Sequence, residues 1–271
     1  MSFLINPYRF AAPQLLDLYP GAAAAYSLRQ LRTGVTSVVR ARRSSDNTEA
    51  DFTAAEVTNG TLTSWVGAGN NGFVRTWYDQ SNNGRNAIQT TTANQPQIVS
   101  SGSLVTSNSK PTLLMNSSEL FINSSLATSQ VFSLFTVTSS SNLSAGSREI
   151  ISAWDYPGNN HIFLGTDGAT IRFTDRAYNA GSYGATNTLK TVDCYSRSSG
   201  SAVILNGSQI FSGTAFSGLV INTNWYIGVQ GTFTGKEYWE GNISEIIVYP
   251  SDQFGVRGGI ESNTNGHYAI Y

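Results

Sequence analysis

The stretch FVRTWYDQSNNGRNA, residues 73–87, joins a strand-like half to a turn-like half. The first half is rich in β-branched and aromatic residues, which fit the half-buried surface of a sheet. Side chains alternate along a strand, so Trp77 and Tyr78 are predicted to lie on opposite faces. In the second half, Asp79–Gly84, short polar side chains bond the backbone and Asn-Gly supplies positive φ, which predicts a turn. A strand that ends in such a turn is suited to hold a sugar, to bind a hard cation or to fix the loop.

Short runs of β-forming residues, separated by turn signals, follow this stretch as far as Tyr249. Such spacing is typical of an all-β sandwich or barrel. Val131–Ser139 and Ile246–Tyr249 are the most apolar runs and are predicted to be central strands. Asn206-Gly207 lies between two such runs and predicts a two-residue hairpin.

The segments outside this region give weaker patterns. Gly21–Arg32 is rich in alanine and leucine, which predicts a short helix. Thr33–Arg43 alternates and predicts a strand with a basic face, whose arginines are expected to pair with the acids that follow. Leu62–Val66 predicts a short strand, and Ser251 is predicted to cap a helix in the C-terminal segment.

The signature WYDQSNNGRNA resembles the YDQSGNG-type motif of the catalytic domain of arabinofuranosidase B enzymes. The segments AAYSLR at 24–29 and VRARRSSDN at 39–47 extend the resemblance over the N-terminal part of that domain, in the right order. The resemblance implies an all-β fold, a two-sheet antiparallel β-sandwich of the concanavalin A-like (laminin G-like) jelly-roll type, with short N-terminal and C-terminal helical segments. Chains that open with an arm similar to NPYRF, residues 6–10, also resemble lectin-like structural proteins of tailed bacteriophages.

Composition sets limits on the class of protein. The chain has 271 residues, of which 12% are charged, against about 25% on average. We expect one β-sandwich domain, residues 21–271, behind an N-terminal arm, residues 1–20. A net charge of −1 gives no general attraction to nucleic acid. The single cysteine, Cys194, lies in a strand-like run and is expected to be a buried thiol.

The N-terminus lacks the basic region and continuous apolar core of a signal peptide. No run approaches the ~18 apolar residues of a membrane span, so no membrane insertion is expected. Proline interrupts the arm, whose apolar side chains must be buried on their own domain or on a neighbouring subunit. The sequence thus predicts docking on other virion proteins and a homo-oligomer, through Phe3, Leu4, Ile5, Tyr8 and Phe10.

Sugar binding is the most specific of the hypotheses that involve no catalysis. Aromatic rings cover the C–H faces of sugars, and amides and carboxylates orient the hydroxyl groups. The candidate carbohydrate-binding residues are Trp77, Tyr78, Asp79, Asn82 and Trp239. A calcium ion is the alternative ligand, since Asp46, Asp79 and Asn82 carry hard oxygens. A hydrogen-bonded loop explains the same residues without any ligand, and we favour that interpretation over calcium.

Hydrolysis of a glycosidic bond requires two carboxyl groups on either side of that bond. The acids considered are Glu237 with Glu240, Glu149 with Asp155, and Asp167 or Asp175. None has the Glu-x-Asp-x-Glu spacing that places carboxylates side by side on one strand face. The resemblance also ends before the later part of the family's domain, so no catalytic residue is assigned from it. His161 and His267 are far apart in the sequence, and no metal site or cofactor is predicted.

The sequence therefore favours a non-enzymatic bacteriophage virion protein. In this interpretation it is a lectin-like module for tail-fiber adhesion or capsid decoration, assembled in the host cytoplasm, whose partner is a glycan of the host surface. The missing leader and the absence of placeable catalytic acids favour this interpretation. The alternative is a glycoside hydrolase of the arabinofuranosidase type.

Overall fold

The computed structural model describes residues 12–127, 129–155, 160–173, 178–215, 223–230 and 236–271, without the side chains at 155, 160, 178 and 179. The strands in chain order are β1 (Ala24–Ser27), β2 (Val39–Arg43), β3 (Glu49–Phe52), β4 (Gly72–Trp77), β5 (Ala87–Ile88), β6 (Gln97–Ser100), β7 (Ser103–Leu104), β8 (Thr106–Ser107), β9 (Lys110–Pro111), β10 (Leu113–Met115), β11 (Leu120–Ile122), β12 (Phe132–Ser140), β13 (Ser147–Asp155), β14 (Asn160–Asp167), β15 (Thr170–Phe173), β16 (Tyr178–Ser182), β17 (Lys190–Arg197), β18 (Gly200–Leu205), β19 (Ser208–Gly213), β20 (Trp225–Ile227) and β21 (Gly241–Tyr249). The helices are α1 (Leu15–Leu18), α2 (Ala54–Thr58), α3 (Thr61–Val66) and α4 (Arg257–Tyr268), and a 3₁₀ turn covers Thr92–Asn94.

Most strands belong to one large sheet whose strand pairs are antiparallel. One branch runs β19–β18–β17–β12–β21–β10–β6–β4–β2–β3. From β4 a second branch runs β5–β11–β20–β13–β14–β15–β16. The end strand β16 lies against β19, so the sheet returns towards its other end. The prediction of a mainly antiparallel β fold with few helices is therefore confirmed.

The two predicted central strands lie side by side. Phe132–Ser140 pairs with β17 along one edge and with β21 along the other. Every residue of β12 is buried, because both faces of the sheet are covered at this position. One face contacts the main apolar core, and the other packs Phe135 and Tyr195 under the C-terminal helix with Ile260. An apolar run without alternation is what such a doubly covered strand requires.

The hairpin predicted at Asn206-Gly207 is also present. It joins β18 to β19 in an antiparallel pair, with Leu205 opposite Ser208. Asn206 has φ 49° and Gly207 has φ 73°, so both central residues lie in the left-handed region that this type of hairpin needs.

The predicted helix at Gly21–Arg32 is wrong. Ala24–Ser27 forms β1 instead, paired with residues 245–248 of β21, and all four of its residues are buried. Alanine favours a helix by only a few tenths of a kcal/mol over most residues. Pairing with a central strand inside the core outweighs that preference. The predicted strand at Thr33–Arg43 is shorter than expected, since only Val39–Arg43 pairs.

Two further segments differ from their predictions. Leu62–Val66 is helical within α3, because Leu62 and Val66 are four residues apart and are buried on one face. The C-terminal helix begins at Arg257 rather than near Ser251. It runs through Gly259, where any side chain would overlap the Tyr19 ring, so glycine allows the helix to pack closely. None of the helices in the described residues is long and apolar enough to cross a membrane.

Part of the predicted arm packs on its own chain. Leu15 and Leu16 are buried in the cluster beneath α4, and the Leu16 N–H donates to the Leu31 carbonyl at 2.8 Å. The apolar residues assigned to partner binding (Phe3, Leu4, Ile5, Tyr8 and Phe10) lie outside the described residues. Docking of that segment on a partner subunit therefore stays a prediction, as does the homo-oligomer.

Candidate functional site

Asp79 holds the signature turn with its own carboxylate. Its Oδ1 accepts hydrogen bonds from the N–H of Ala25 at 2.9 Å and of Ser81 at 2.8 Å. Its Oδ2 accepts from the Ser81 hydroxyl at 2.8 Å and from the Arg85 N–H at 3.1 Å. Hydrogen bonds to an ionised acceptor are stronger than neutral ones. The carboxylate is thus committed to fixing the turn against β1.

Gln80 makes the second link between the turn and the N-terminal segment. Its side chain is buried, and its Oε1 accepts from the Leu31 N–H at 2.7 Å. Its Nε2 donates to the carbonyls of Ser27 and Arg29, both at 2.9 Å. The Asp-Gln pair of the signature is therefore a structural device that ties β1 and its following loop to the end of β4.

Two of the predicted carbohydrate-binding residues are core residues. Trp77 and Trp239 are both 0% exposed. Trp77 packs against Tyr26 with ring centroids 5.7 Å apart, and Trp239 packs against Tyr183 at 5.8 Å. Neither indole presents a face to a ligand, because both side chains are fully buried.

The other three predicted residues lie together. Tyr78, Asp79 and Asn82 line a cleft of about 500 Å³, whose opposite wall is formed by residues 32–37. Tyr78 is half-buried, and its hydroxyl donates to Asp51 Oδ1 at 2.7 Å. The sequence signature thus brings the Tyr78 ring and the Asn82 amide to a polar cleft, whereas the Asp79 carboxylate already accepts hydrogen bonds from within the protein.

The proposed calcium ligands have other partners. Asp46 pairs with Arg43 at 2.6 Å, and Asp79 is saturated by N–H and O–H donors. Within the described part of the chain, no three His, Cys, Asp or Glu residues are grouped so as to hold a metal ion. The hydrogen-bonded loop is the interpretation that these contacts support. The basic face of β2 likewise pairs internally, since Arg40 bonds Asp51 at 2.7 Å.

A separate cluster of polar side chains lies on the sheet face formed by β13, β14 and the segment before β21. Glu149 is 1% exposed, and its Oε1 lies 3.6 Å from Nε2 of His161. Tyr238 forms a parallel bridge with Glu149, which places the neighbouring Glu237 within electrostatic reach of that carboxyl group. The backbone N–H of the buried Gln230 donates to the Glu237 carbonyl at 3.1 Å. We call Glu149, His161, Glu237 and Gln230 the Glu149 cluster.

A β-bulge positions Glu149. The register of β13 against β14 shifts between Glu149 and Ile151, so Glu149 lies on the same face as Ser152 and Trp154. Gly165 is opposite Glu149, and a side chain there would overlap the Arg148 carbonyl. The bulge therefore depends on glycine in the partner strand, and it turns an acidic side chain inwards.

Burial raises the pKa of Glu149 above its usual value, and the nearby Glu237 carboxylate adds to that rise while His161 opposes it. Among the described side chains, Glu149 Oε2, His161 Nε2 and Gln230 Nε2 are buried atoms without a hydrogen-bond partner. Buried polar atoms without partners are uncommon in folded proteins and mark candidate functional sites.

An aromatic row borders the cluster. Trp154 stacks on His161 with ring centroids 5.2 Å apart, and His161 stacks on Phe163 at 4.7 Å. Trp154 is only partly buried, so the row reaches the edge of the cluster. Flat rings beside a carboxyl pair are suited to position a sugar ring over an acid.

Sequence reasoning named Glu149 and Glu237 but did not pair them with each other. Glu240 is partly exposed and accepts a hydrogen bond from Asn142 at 2.9 Å, and Asp167 pairs with Arg172 at 2.9 Å. Asp175 and the side chain of Asp155 lie outside the described residues. The strand pairing that unites the cluster is long-range, and no local spacing in the sequence signals it.

Comparison with known proteins gives similarity at the level of structure alone. No family model matches the chain, and no curated protein sequence matches it. A GH54 α-L-arabinofuranosidase soaked with a cyclic sulfate inhibitor is similar with a TM-score of 0.65 and 17% identity, over 89% of this chain and 62% of that one. A glutamate-to-glutamine mutant of a GH54 α-L-arabinofuranosidase, soaked with 4-nitrophenyl α-L-arabinofuranoside, gives 0.66 and 18% over the same shares. Trypanosoma rangeli sialidase in complex with sialic acid gives 0.51 and 14%, over 70% of this chain and 31% of that one.

These comparisons contradict the prediction of a bacteriophage virion protein that is not an enzyme, because the similar solved structures are glycoside hydrolases. They favour the arabinofuranosidase-type alternative, and no observation tests the predicted virion location. At such low identity the likeness shows the fold, and this chain spans 62% of the length of the arabinofuranosidases. The described chain has the β fold of glycoside hydrolase structures, with a buried acidic cluster on its sheet.

Proposed function

We propose that this chain is a glycoside hydrolase of the arabinofuranosidase type, built on a two-sheet β-sandwich of the concanavalin A-like class. The observation that carries the proposal is the Glu149 cluster, where a buried carboxyl group lies within electrostatic reach of a second carboxyl group and borders an aromatic row. The structural likeness to α-L-arabinofuranosidases over 89% of the chain supports the substrate class. The resemblance of residues 73–87 to the signature of that family supports it independently.

Glu149 is the proposed general acid. Burial raises the pKa of Glu149, so its carboxyl group is protonated more readily than an ordinary one and can protonate the glycosidic oxygen as the bond from C1 to that oxygen breaks. Glu237 is the proposed second carboxylate, which attacks C1 or activates a water molecule for the attack. His161 is the proposed positioning residue, because its imidazole lies 3.6 Å from Glu149 Oε1 and is fixed between two rings.

The proposal is tested with the full chain and two substrates, 4-nitrophenyl α-L-arabinofuranoside and arabinoxylan. Removing a general acid typically costs about 10²–10⁴-fold in rate. We expect Glu149→Gln to lose that factor on arabinoxylan and much less on the aryl glycoside, because nitrophenolate leaves without protonation. Glu237→Gln should lose activity on both substrates, since the second carboxylate is needed whatever the leaving group.

Glu49→Gln is the matched control. Glu49 is a surface carboxylate of β3, 3.6 Å from Arg75, and its replacement should leave both rates unchanged. Far-UV circular dichroism and melting curves confirm that each variant is folded. Hydrolysis by neither the intact chain nor its variants, or full activity of both cluster variants, would refute the proposal.

A further inference from the structure

Arg32 lies between two adjoining clefts. One is the cleft of about 500 Å³ between residues 32–37 and Tyr78–Asn82. The other, of about 420 Å³, is lined by Arg32, Ser81 and five residues between Leu16 and Ala22. We call the two clefts together the Arg32 groove. It shares no residue with the Glu149 cluster, and two adjoining clefts suit an extended ligand better than a single small molecule.

The groove contains side chains that are already held in place. Arg32 Nη1 donates to the Ser81 carbonyl at 2.8 Å, which leaves the other guanidinium donors for a ligand. The Tyr78 hydroxyl is bonded to Asp51 at 2.7 Å, and Asp51 is held by two hydrogen bonds from Arg40. An aromatic ring and a planar cation fixed in advance lose little conformational entropy when a ligand binds.

The charges of the groove select against an anionic ligand. Two carboxylates, Asp17 and Asp79, line these clefts, and Arg32 is the one cation among the described residues that line them. Both carboxylates accept hydrogen bonds from the protein, Asp17 from the Thr33 hydroxyl and Asp79 from the Ala25 N–H. The remaining lining is rich in hydroxyl and amide groups, which suit hydroxyl groups of a neutral ligand.

We propose that the Arg32 groove binds a neutral oligosaccharide chain. Tyr78 would cover a sugar face, and Arg32 would donate to ring and hydroxyl oxygens. The groove then holds a polymeric substrate with residues outside the Glu149 cluster, and to that extent it rests on the proposed function. Binding itself does not require catalysis, so the two proposals can fail separately.

Affinity electrophoresis in gels that contain neutral arabinoxylan tests the proposal, with polygalacturonate gels as the acidic comparison. The proteins are the intact chain, Arg32→Ala, Tyr78→Ala and Tyr78→Phe, with Arg75→Ala on β4 as the matched arginine control. We expect arabinoxylan to retard the intact chain and the Arg75 variant. Arg32→Ala and Tyr78→Ala should weaken the apparent Kd at least about tenfold, which corresponds to roughly 1.4 kcal/mol.

Tyr78→Phe keeps the ring and should retain most of the binding, even if Tyr78→Ala proves unstable. Turnover of 4-nitrophenyl α-L-arabinofuranoside by the Arg75→Ala control should equal that of the intact chain, because Arg75 lines neither cleft and lies outside the Glu149 cluster. Three results would each overturn the proposal that the groove binds a neutral oligosaccharide. They are equal retardation of the intact chain and Arg32→Ala, no retardation of the intact chain, and stronger retardation by polygalacturonate than by arabinoxylan. Retardation without any turnover would overturn the hydrolase alone and leave the groove standing.

Discussion

Replacing Gln80 with alanine should test the structural role of the signature turn. The change removes an acceptor from the Leu31 N–H and a donor from the carbonyls of Ser27 and Arg29. A buried polar group without a partner costs about 1–3 kcal/mol, and carbonyls lie at the low end because they have a second lone pair. The expected loss in free energy of unfolding is therefore about 3–5 kcal/mol.

For a domain of this size each kcal/mol shifts Tm by about 2–4 °C, so we expect a fall of roughly 6–20 °C. Urea unfolding followed by tryptophan fluorescence gives the free energy directly. Gln80→Glu has nearly the same shape but places a carboxylate oxygen against the two carbonyls, so it should destabilise at least as much at neutral pH. Gln209→Ala, at an exposed position of β19, is the control and should change stability by under about 0.5 kcal/mol. A Gln80→Ala loss no larger than that of the control would refute the reasoning.

Three further predictions concern buried charges beneath and beside the C-terminal helix. Arg29 bonds the buried Glu245 carboxylate at 2.7 Å and 2.9 Å. Arg29→Met leaves that carboxylate buried without its cation, so the free energy of unfolding in urea should fall by about 3–5 kcal/mol. Glu245→Gln in the same chain should recover part of the loss. Burial raises the pKa of Asp193, and the Glu261 carboxylate adds to that rise. The free energy of unfolding should therefore fall as pH rises above about 4. Asp193→Asn should flatten that fall, and identical pH profiles of the variant and the intact chain would contradict the prediction. Burial and Arg29 lower the pKa of His267 to about 4, so the NMR titration of this residue should lie near pH 4. The free energy of unfolding should fall as pH drops from 6.5 towards 4. A titration near 6.5 would show that the ring is solvated.

Local patterns determined much of the fold. The apolar runs predicted the central strands β12 and β21, and Asn206-Gly207 predicted the hairpin between β18 and β19. These features succeed because turn chemistry and continuous apolar character act within a few residues. The signature at residues 73–87 was also read correctly as a strand that ends in a turn, since Phe73–Trp77 pairs in β4 and Asn82 has a φ of 76°.

Only the tertiary structure decided which residues act as partners. Ala24–Ser27 is a strand because β21 pairs with it, although its alanines prefer a helix. The signature's Trp77 is a core residue because Tyr26 and the covering sheet enclose it, which composition cannot show. Glu149 meets His161 and Glu237 through a bulge and a pairing of strands that are distant in the sequence. Strand pairing between distant segments carries no local periodicity, so the acids that share a site become recognisable only when the sheet is formed.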